Sequence, residues 1–311
     1  MRLAVLADVH DNLPALEAVV EDMRHHSVDG VIAAGDYMVR DPYPVETSRL
    51  LRSLDGWMTR GNAEGYLLAY DAGEVPASWC ASDQWAAMRW TYAQADHETL
   101  DFIVELLQQR VVTVDDAPPI RVVHGSPTDP SGRLFPDEDP DALRWFRKAG
   151  LLAQDGDPPW LRRAFAQISK PVLVCAHTHI PWVQEEDGRL APGVVSGALN
   201  GDACAQYALL TWEKGRWQVE HRAVAYDLTP VRRAFRDTGF LAEGGPFAKA
   251  YLLSIETGRN VVGHLFSHID RLALEAGLED WVVVPEAIWD RAVNTFRWAD
   301  YGGESRRAEL V

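Results

Sequence analysis

A chain of 311 residues is long enough for one large α/β domain with an appendage, or for two small domains. The 47% hydrophobic and 24% charged fractions are those of an ordinary soluble globular protein. The formal net charge of −16 argues against broad nucleic-acid binding, which needs a basic surface, and against binding to an anionic membrane. A phosphorylated substrate would need a strong local positive centre here, and metal ions supply one whatever the global charge.

In chain order, residues 1–7 predict a strand. Its apolar run, broken by Asp8 and His10, is too short for a signal peptide or a membrane span, so the cytoplasm is the expected compartment. Asn12 can cap a helix over 14–24, with Pro14 in its first turn and Leu16, Val19, Val20 and Met23 as one apolar stripe. A second strand over 31–34 stops at Gly35-Asp36. A helix over 44–54 has Val45, Leu50, Leu51 and Leu54 as its expected buried side, and a third strand over 57–59 runs into Arg60-Gly61-Asn62. A helix-rich stretch over 82–109 precedes a strand over 120–123 that ends at His124. Another helical stretch leads to a strand over 171–176 that ends at His177. Short alternating runs at 182–184, 194–196, 207–212 and 217–224 then predict a β-meander, with Gly188 and Gly215 at hairpin turns. Strand–helix alternation followed by a meander suggests two sheets packed face to face with helices outside. After about residue 227 the pattern is helical. The expected division is therefore 1–227 and a helical C-terminal extension over 228–311.

Five of these strands end in a residue able to bind metal: Asp8, Asp36, Asn62, His124 and His177. Ligands collect at the carboxyl ends of strands in open α/β sheets, so five such ends in one sheet would converge on one spot. Asp8-x-His10 and His177-x-His179 are both i, i+2 pairs, which in extended backbone point to the same side. Seven oxygen and nitrogen ligands exceed what one tetrahedral metal needs and imply two ions, with Asp36 as the best bridging carboxylate.

Asp8-Val9-His10, Gly35-Asp36, Gly61-Asn62, Val123-His124-Gly125 and Ala176-His177-Thr178-His179 resemble the ordered motifs of the calcineurin-like metallophosphoesterases, over roughly residues 1–226. The segment over 35–51 looks like both the small bacterial phosphodiesterase branch and the serine/threonine phosphatases. His124-Gly125-Ser126-Pro127 and Pro181 favour the bacterial branch. The resemblance implies a four-layer αββα sandwich of two mixed sheets. It implies one metal on Asp8, His10 and His179, another on Asn62, His124 and His177, and Asp36 bridging. Attack by a hydroxide bridging the ions would hydrolyse a small phosphodiester, phosphomonoester or nucleotide. Asp36, Asn62 and His124 would serve the chemistry, and Arg40 and Arg60 fall where protein phosphatases bind phosphate. The two divalent ions would be Mn²⁺ in the first instance, with Fe, Zn²⁺, Ni²⁺ and Co²⁺ accepted by the same mixed ligands. The family often reads Gly-Asn-His-Asp/Glu, where the His helps protonate the leaving oxygen; this chain has Gly61-Asn62-Ala63-Glu64. It also has Ala176 where the family prefers Gly.

Alternative functions are a protein phosphatase, a dinucleoside polyphosphate hydrolase, or a metal-binding regulatory module without turnover, the last motivated by Ala63. His264 and His268, spaced i, i+4, read as a helix face rather than a zinc site, and His25-His26 as favourable charge at a helix end. Trp182 reads as hairpin packing, and Cys175 as a small buried hydrophobe, the three cysteines Cys80, Cys175 and Cys204 fitting no disulfide framework. The stripe Val261, Val262, Leu265, Ile269 and Leu272 fits either core or a homo-oligomer interface formed by the extension.

Overall fold

Leu3, Val5 and Ala7 point to one side of the first strand and Ala4 and Leu6 to the other, and all five are fully buried. A strand apolar on both faces belongs inside a sheet with cover on each side. The computed structural model, which describes residues 1–114, 116–138, 140, 143–144, 146, 159–194, 203–279 and 281–302, places it there. Strand β1 (Arg2–Leu6) pairs in parallel with β2 (Gly30–Ala34), which pairs in parallel with β3 (Trp57–Thr59). The second sheet holds β4 (Gln109–Val112), β5 (Ile120–Val123), β6 (Val172–Val174), β7 (Trp182–Glu186) and β8 (Arg189–Gly193), in the order β4-β5-β6-β8-β7. The hairpin β9 (Ala205–Glu213) and β10 (Arg216–Val224) returns to the first sheet, completing the order β10-β9-β1-β2-β3.

The inward faces meet in one apolar layer, where Leu3, Val5, Ile32 and Leu210 face Val112, Ile120, Val122 and Val174. The outer face of the first sheet is covered by α1 (Leu13–His25), α2 (Pro44–Ser53), α3 (Asn62–Asp71), α4 (Ala77–Ala81), α5 (Ala86–Gln94) and α6 (His97–Glu105). On the outer face of the second, Leu173, Cys175 and Ala191 pack against Phe135, Phe146 and α7 (Trp160–Phe165). The result is the expected αββα sandwich. Trp182 is buried in this outer layer, as a packing residue of its hairpin.

The extension comprises α8 (Thr229–Asp237), α9 (Phe240–Glu243), α10 (Gly245–Thr257), α11 (Val261–Glu275) and α12 (Glu286–Thr295). Val231, Phe235, Phe240 and Ala248 pack onto Ala87 and Trp90 of α5, tying the extension to the sandwich. The stripe Val261, Val262, Leu265, Ile269 and Leu272 is buried within the chain beside Phe247 and Trp289, so it is core. No helix among the described residues is long and apolar enough to cross a membrane.

The helix-rich stretch 82–109 is as expected, divided by extended residues at Ala95 and Leu106, with Asp96 starting α6 afresh by accepting a hydrogen bond from the Thr99 N–H. Several expectations need correction. Only the last residue of that stretch, Gln109, belongs to β4, an unexpected strand antiparallel to β5 that continues through Val111 and Val112. The meander is two hairpins in different sheets, because the chain passes from the second sheet to the first between β8 and β9. Of the strand expected at 194–196, Val194 follows β8 and the rest lies outside the described residues. In α2 the fully buried residues are Pro44, Thr47, Ser48 and Leu51, with Leu50 and Leu54 packed partly buried against the same core and the Ser48 hydroxyl sharing a hydrogen bond with that of Thr99. The hairpin glycines do behave as expected: Asp187-Gly188 and Lys214-Gly215 both have left-handed φ at their two residues, as tight hairpin turns require.

Candidate metal centre

The residues that follow the strands come together, but from two sheets rather than one. Asp8, Asp36 and Asn62 follow β1, β2 and β3 of the first sheet, and His124 and His177 follow β5 and β6 of the second. Nor are the i, i+2 pairs extended. Asp8, His10, Asp36, His177 and His179 have φ of 53°, 50°, 53°, 70° and 56°, in the left-handed region. Each loop turns back at its ligand positions, and backbone bonds hold the turns: the N–H groups of Asp8 and His10 donate to the carbonyls of Gly35 and Asp36 at 2.9 and 3.1 Å. The His177 N–H donates to Asp8 Oδ2 at 3.1 Å, joining the two sheets at the site.

Two residues that are not candidate ligands shape the Asp36 loop. Gly35 has φ +88°, and a Cβ there would lie 2.6 Å from the Gly61 nitrogen and 2.9 Å from His124 Nδ1. Glu64, fully buried, accepts from the N–H groups of Asp36, Tyr37, Met38 and Gly61 at 3.0, 2.7, 3.0 and 2.8 Å. The Ala63 N–H donates to Asp36 Oδ1 at 2.8 Å. Asp36 thus has one oxygen fixed by backbone and the other, Oδ2, directed at the site.

Two groups of potential ligand atoms result, each lying within 4.8 Å of one another: Asp8, His10 and His179, and Asp36, His124 and His177. Asp8 Oδ1 lies 3.9, 3.9 and 3.4 Å from the Nε2 atoms of His10, His124 and His179. Asp36 Oδ2 lies 3.7 and 3.3 Å from those of His10 and His124. Asn62 Oδ1 is 3.2 Å from His124 Nε2. Facing carbonyls settle the tautomers: His124 Nδ1–H donates to Ala34 O at 2.7 Å, and His10 Nδ1–H reaches Val39 O at 2.8 Å and Met38 O at 3.0 Å. Both rings therefore turn Nε2 towards the carboxylates. Asp8 Oδ1 and Asp36 Oδ2 are buried and accept no hydrogen bond. Imidazole nitrogens converging on two bare carboxylate oxygens fit divalent cations, which would satisfy all of them at once.

The electrostatics agree. Burial, then the charge of Arg40, pushes His10 down to about 3, and burial, then His124, does the same to His177, so both rings are neutral. Burial lifts Asp8 to about 7, aided by the neighbouring Asp36. Burial opposes ionisation of Asp36 as well, but the charge of His124, whose burial is outweighed by Asp36 and Asp8 so that it rises to about 9, holds Asp36 far below the usual carboxylate range; a bound cation would take the place of that proton.

A cavity of about 820 Å³ opens over the site. Arg40 lines it and brings Nη1 to 3.2 Å from His179 Nε2. Arg60 is not among its lining residues; its N–H donates to Leu107 O at 2.7 Å where β3 ends. Arg133 lines the cavity beside His177, a position that no strand or motif marked in the sequence. Elsewhere, His264 Nδ1 meets the Tyr301 hydroxyl and His268 Nε2 the Thr295 hydroxyl, so this pair forms ordinary helix-face contacts. Asp8, Asp36, His10 and His124 are each no more than 5% exposed.

The calcineurin-like phosphoesterase profile matches residues 1–181, more than half of the chain and all seven candidate ligands. The chain belongs to the calcineurin-like phosphoesterase family. With it comes the activity of a metal-dependent phosphoester hydrolase. An uncharacterized protein of Methanocaldococcus jannaschii, MJ0912, is 24% identical to this phosphoesterase over 247 residues, covering 73% of the chain and 88% of that protein. A crystal structure of a metallophosphoesterase from Sphaerobacter thermophilus superposes with a TM-score of 0.57 at 23% identity, covering 78% of this chain and 99% of that one. The hypothetical protein PH1004 of Pyrococcus horikoshii OT3 gives 0.59 at 18% identity, covering 83% and 98%. These likenesses show the shared fold.

Proposed function

We propose that this phosphoesterase hydrolyses a small phosphodiester, phosphomonoester or nucleotide with two divalent ions, Mn²⁺ in the first instance. Asp8, His10 and His179 would hold one ion, Asn62, His124 and His177 the other, and Asp36 would lie between them. The observation that carries this reading is the pair of buried, unpartnered oxygens, Asp8 Oδ1 and Asp36 Oδ2, facing the imidazoles. An ionised carboxylate left bare in a protein interior costs several kcal/mol, which bound cations would offset.

When bound, a metal pair supplies an activated water nucleophile and neutralises charge during in-line displacement. The chain's own groups do the rest. Arg40 and Arg133 stand at the same cavity wall and would orient the phosphate oxygens. Asn62, a neutral amide, adds a ligand oxygen without cancelling positive charge. The carbonyls of Ala34, Met38 and Val39 fix His124 and His10 in the ligating tautomer. Ala63 lines the cavity where a proton donor would stand, and only its backbone N–H is functional, on Asp36. Losing a positioned general acid costs on the order of 10²–10⁴ in rate. Aryl esters and phosphoanhydrides, whose leaving groups depart unprotonated, should therefore outpace simple alkyl esters. A flat dependence of rate on leaving-group pKa would contradict this.

The test is to strip the protein of metal, reload it with Mn²⁺, and assay bis-p-nitrophenyl phosphate and p-nitrophenyl phosphate beside Asp36→Asn. Turnover restored by metal and absent in the variant supports the proposal. Metal bound without turnover on any phosphoester would favour the non-catalytic reading that Ala63 suggests.

A further inference from the structure

The cavity is built by both parts of the chain. The sandwich contributes the candidate ligands with Arg40 and Arg133, and the rest of the lining comes largely from the C-terminal helices, which lie beyond the matched family region; Arg40 marks the seam between the two, over the Tyr251 ring at 5.6 Å. Three of the large apolar side chains that remain well exposed stand in this cavity: Tyr66 at 36%, Phe266 at 42% and Val282 at 61%. They are not isolated. Phe266 packs on Phe247 with ring centroids 4.8 Å apart and lies 6.5 Å from Trp281 with the rings inclined at 29°. Across the cavity, Tyr66 stands edge-on to Trp85 at 5.6 Å. Aromatic side chains left facing an open cavity of this size have the character of a ligand site rather than of unfinished core.

Charge is distributed along the same axis. The cations that line the cavity, Arg40 and Arg133, stand on the sandwich side. The extension contributes Asp270 and Glu279 to the lining and, among the described residues, no Lys or Arg. The two carboxylates in the extension's share of the lining, Glu279 and the Asp270 that accepts the Trp281 N–H at 3.0 Å, would repel a second phosphate there but not a neutral ring.

We propose, resting on the phosphoesterase reading above, that the C-terminal helices are the specificity wall of the site, and that they take a flat, uncharged aromatic group of the nucleobase class carried on the phosphate. The phosphate end meets the ligand residues and arginines, and the ring meets Phe266 and Trp281. A volume of about 820 Å³ is ample for a nucleoside monophosphate or its simple ester. A dinucleoside polyphosphate would run its charged chain towards Asp270 and Glu279 and is disfavoured.

Binding can be read apart from turnover. Full-length, Mn²⁺-loaded protein is titrated calorimetrically with adenosine 5′-monophosphate and, as the ringless counterpart, glycerol 3-phosphate. Base–aromatic stacking contributes about 1–3 kcal/mol per base, a factor of about 5 to 150 in affinity. The nucleotide should accordingly bind at least about fivefold tighter than glycerol phosphate. Phe266→Ala should remove most of that difference, leave glycerol phosphate binding unchanged, and be rescued by Phe266→Trp. Equal affinities in the wild type, or a Phe266→Ala change that weakens both ligands alike, would overturn the proposal. Ring-selective binding without turnover of any phosphoester, monoester or diester, would instead sink the phosphoesterase reading, so the two failures are distinguishable.

Discussion

Asp36 shows how much of a ligand's behaviour is fixed by residues that never meet the ligand. Its loop hangs on the Glu64 carboxylate, which accepts four backbone N–H groups. Glu64→Gln would turn an amide donor towards those N–H groups, and positioning residues of this kind typically contribute 10- to 100-fold in metal affinity. We expect a loss of that size in a Mn²⁺ titration, with Asp36→Asn losing more. Gly35→Ala should fail differently: with φ +88° and the Gly61 backbone 2.6 Å from the new Cβ, it should destabilise the fold by at least about 2 kcal/mol in urea unfolding. The seven candidate ligands were legible because Asp, Asn and His at strand ends are rare in such number. Arg133 and the role of Glu64 were not. Each is one ordinary charged residue, and its meaning comes from which loop it is folded against.

Elements were most legible where one period dominates. α1 has its cap at Asn12, with Asn12 Oδ1 accepting the Ala15 N–H at 3.1 Å, and its four-residue stripe is buried. β4 was missed because a short edge strand adjoining a helix has too few residues to establish its own period. Side chains that join elements carry stability that neither pattern reports. Asp22 on α1 accepts from Tyr207 of β9 at 2.7 Å and from Arg222 of β10 at 2.7 and 3.3 Å. The Arg222 hydrogen bond holds Asp22 below its ordinary value of 3.8. The unfolded chain therefore binds more protons between that lowered value and 3.8, and the clamp's contribution is present above 3.8 and lost as pH falls through the folded value. Asp22→Asn should cost about 1–3 kcal/mol at pH 7. Its difference from the wild type should shrink below about pH 4, measured by urea unfolding at the two pH values.

At the scale of the whole molecule, the four layers could be inferred from alternation and order, but not the assignment of strands to sheets. A hairpin looks the same in sequence whichever sheet edge it joins, which is why β7–β8 and β9–β10 read as one meander. The placement of the extension was also hidden, since an amphipathic helix does not declare what it covers. Binding that favours only the folded chain stabilises it by about 2.7 kcal/mol at a hundredfold excess over Kd. Mn²⁺ should thus raise the melting temperature by several degrees, and Asp36→Asn should abolish most of the rise in a calorimetric scan. The left-handed backbone at Asp8, His10, Asp36, His177 and His179 has a last consequence, one for lineages rather than molecules. Left-handed residues other than glycine cost of order 1 kcal/mol or more each, and two of these also leave a buried oxygen bare. A descendant freed from turnover would gain stability at each position by drifting to glycine or asparagine. Fold stability alone would therefore not choose five ionisable side chains in that conformation.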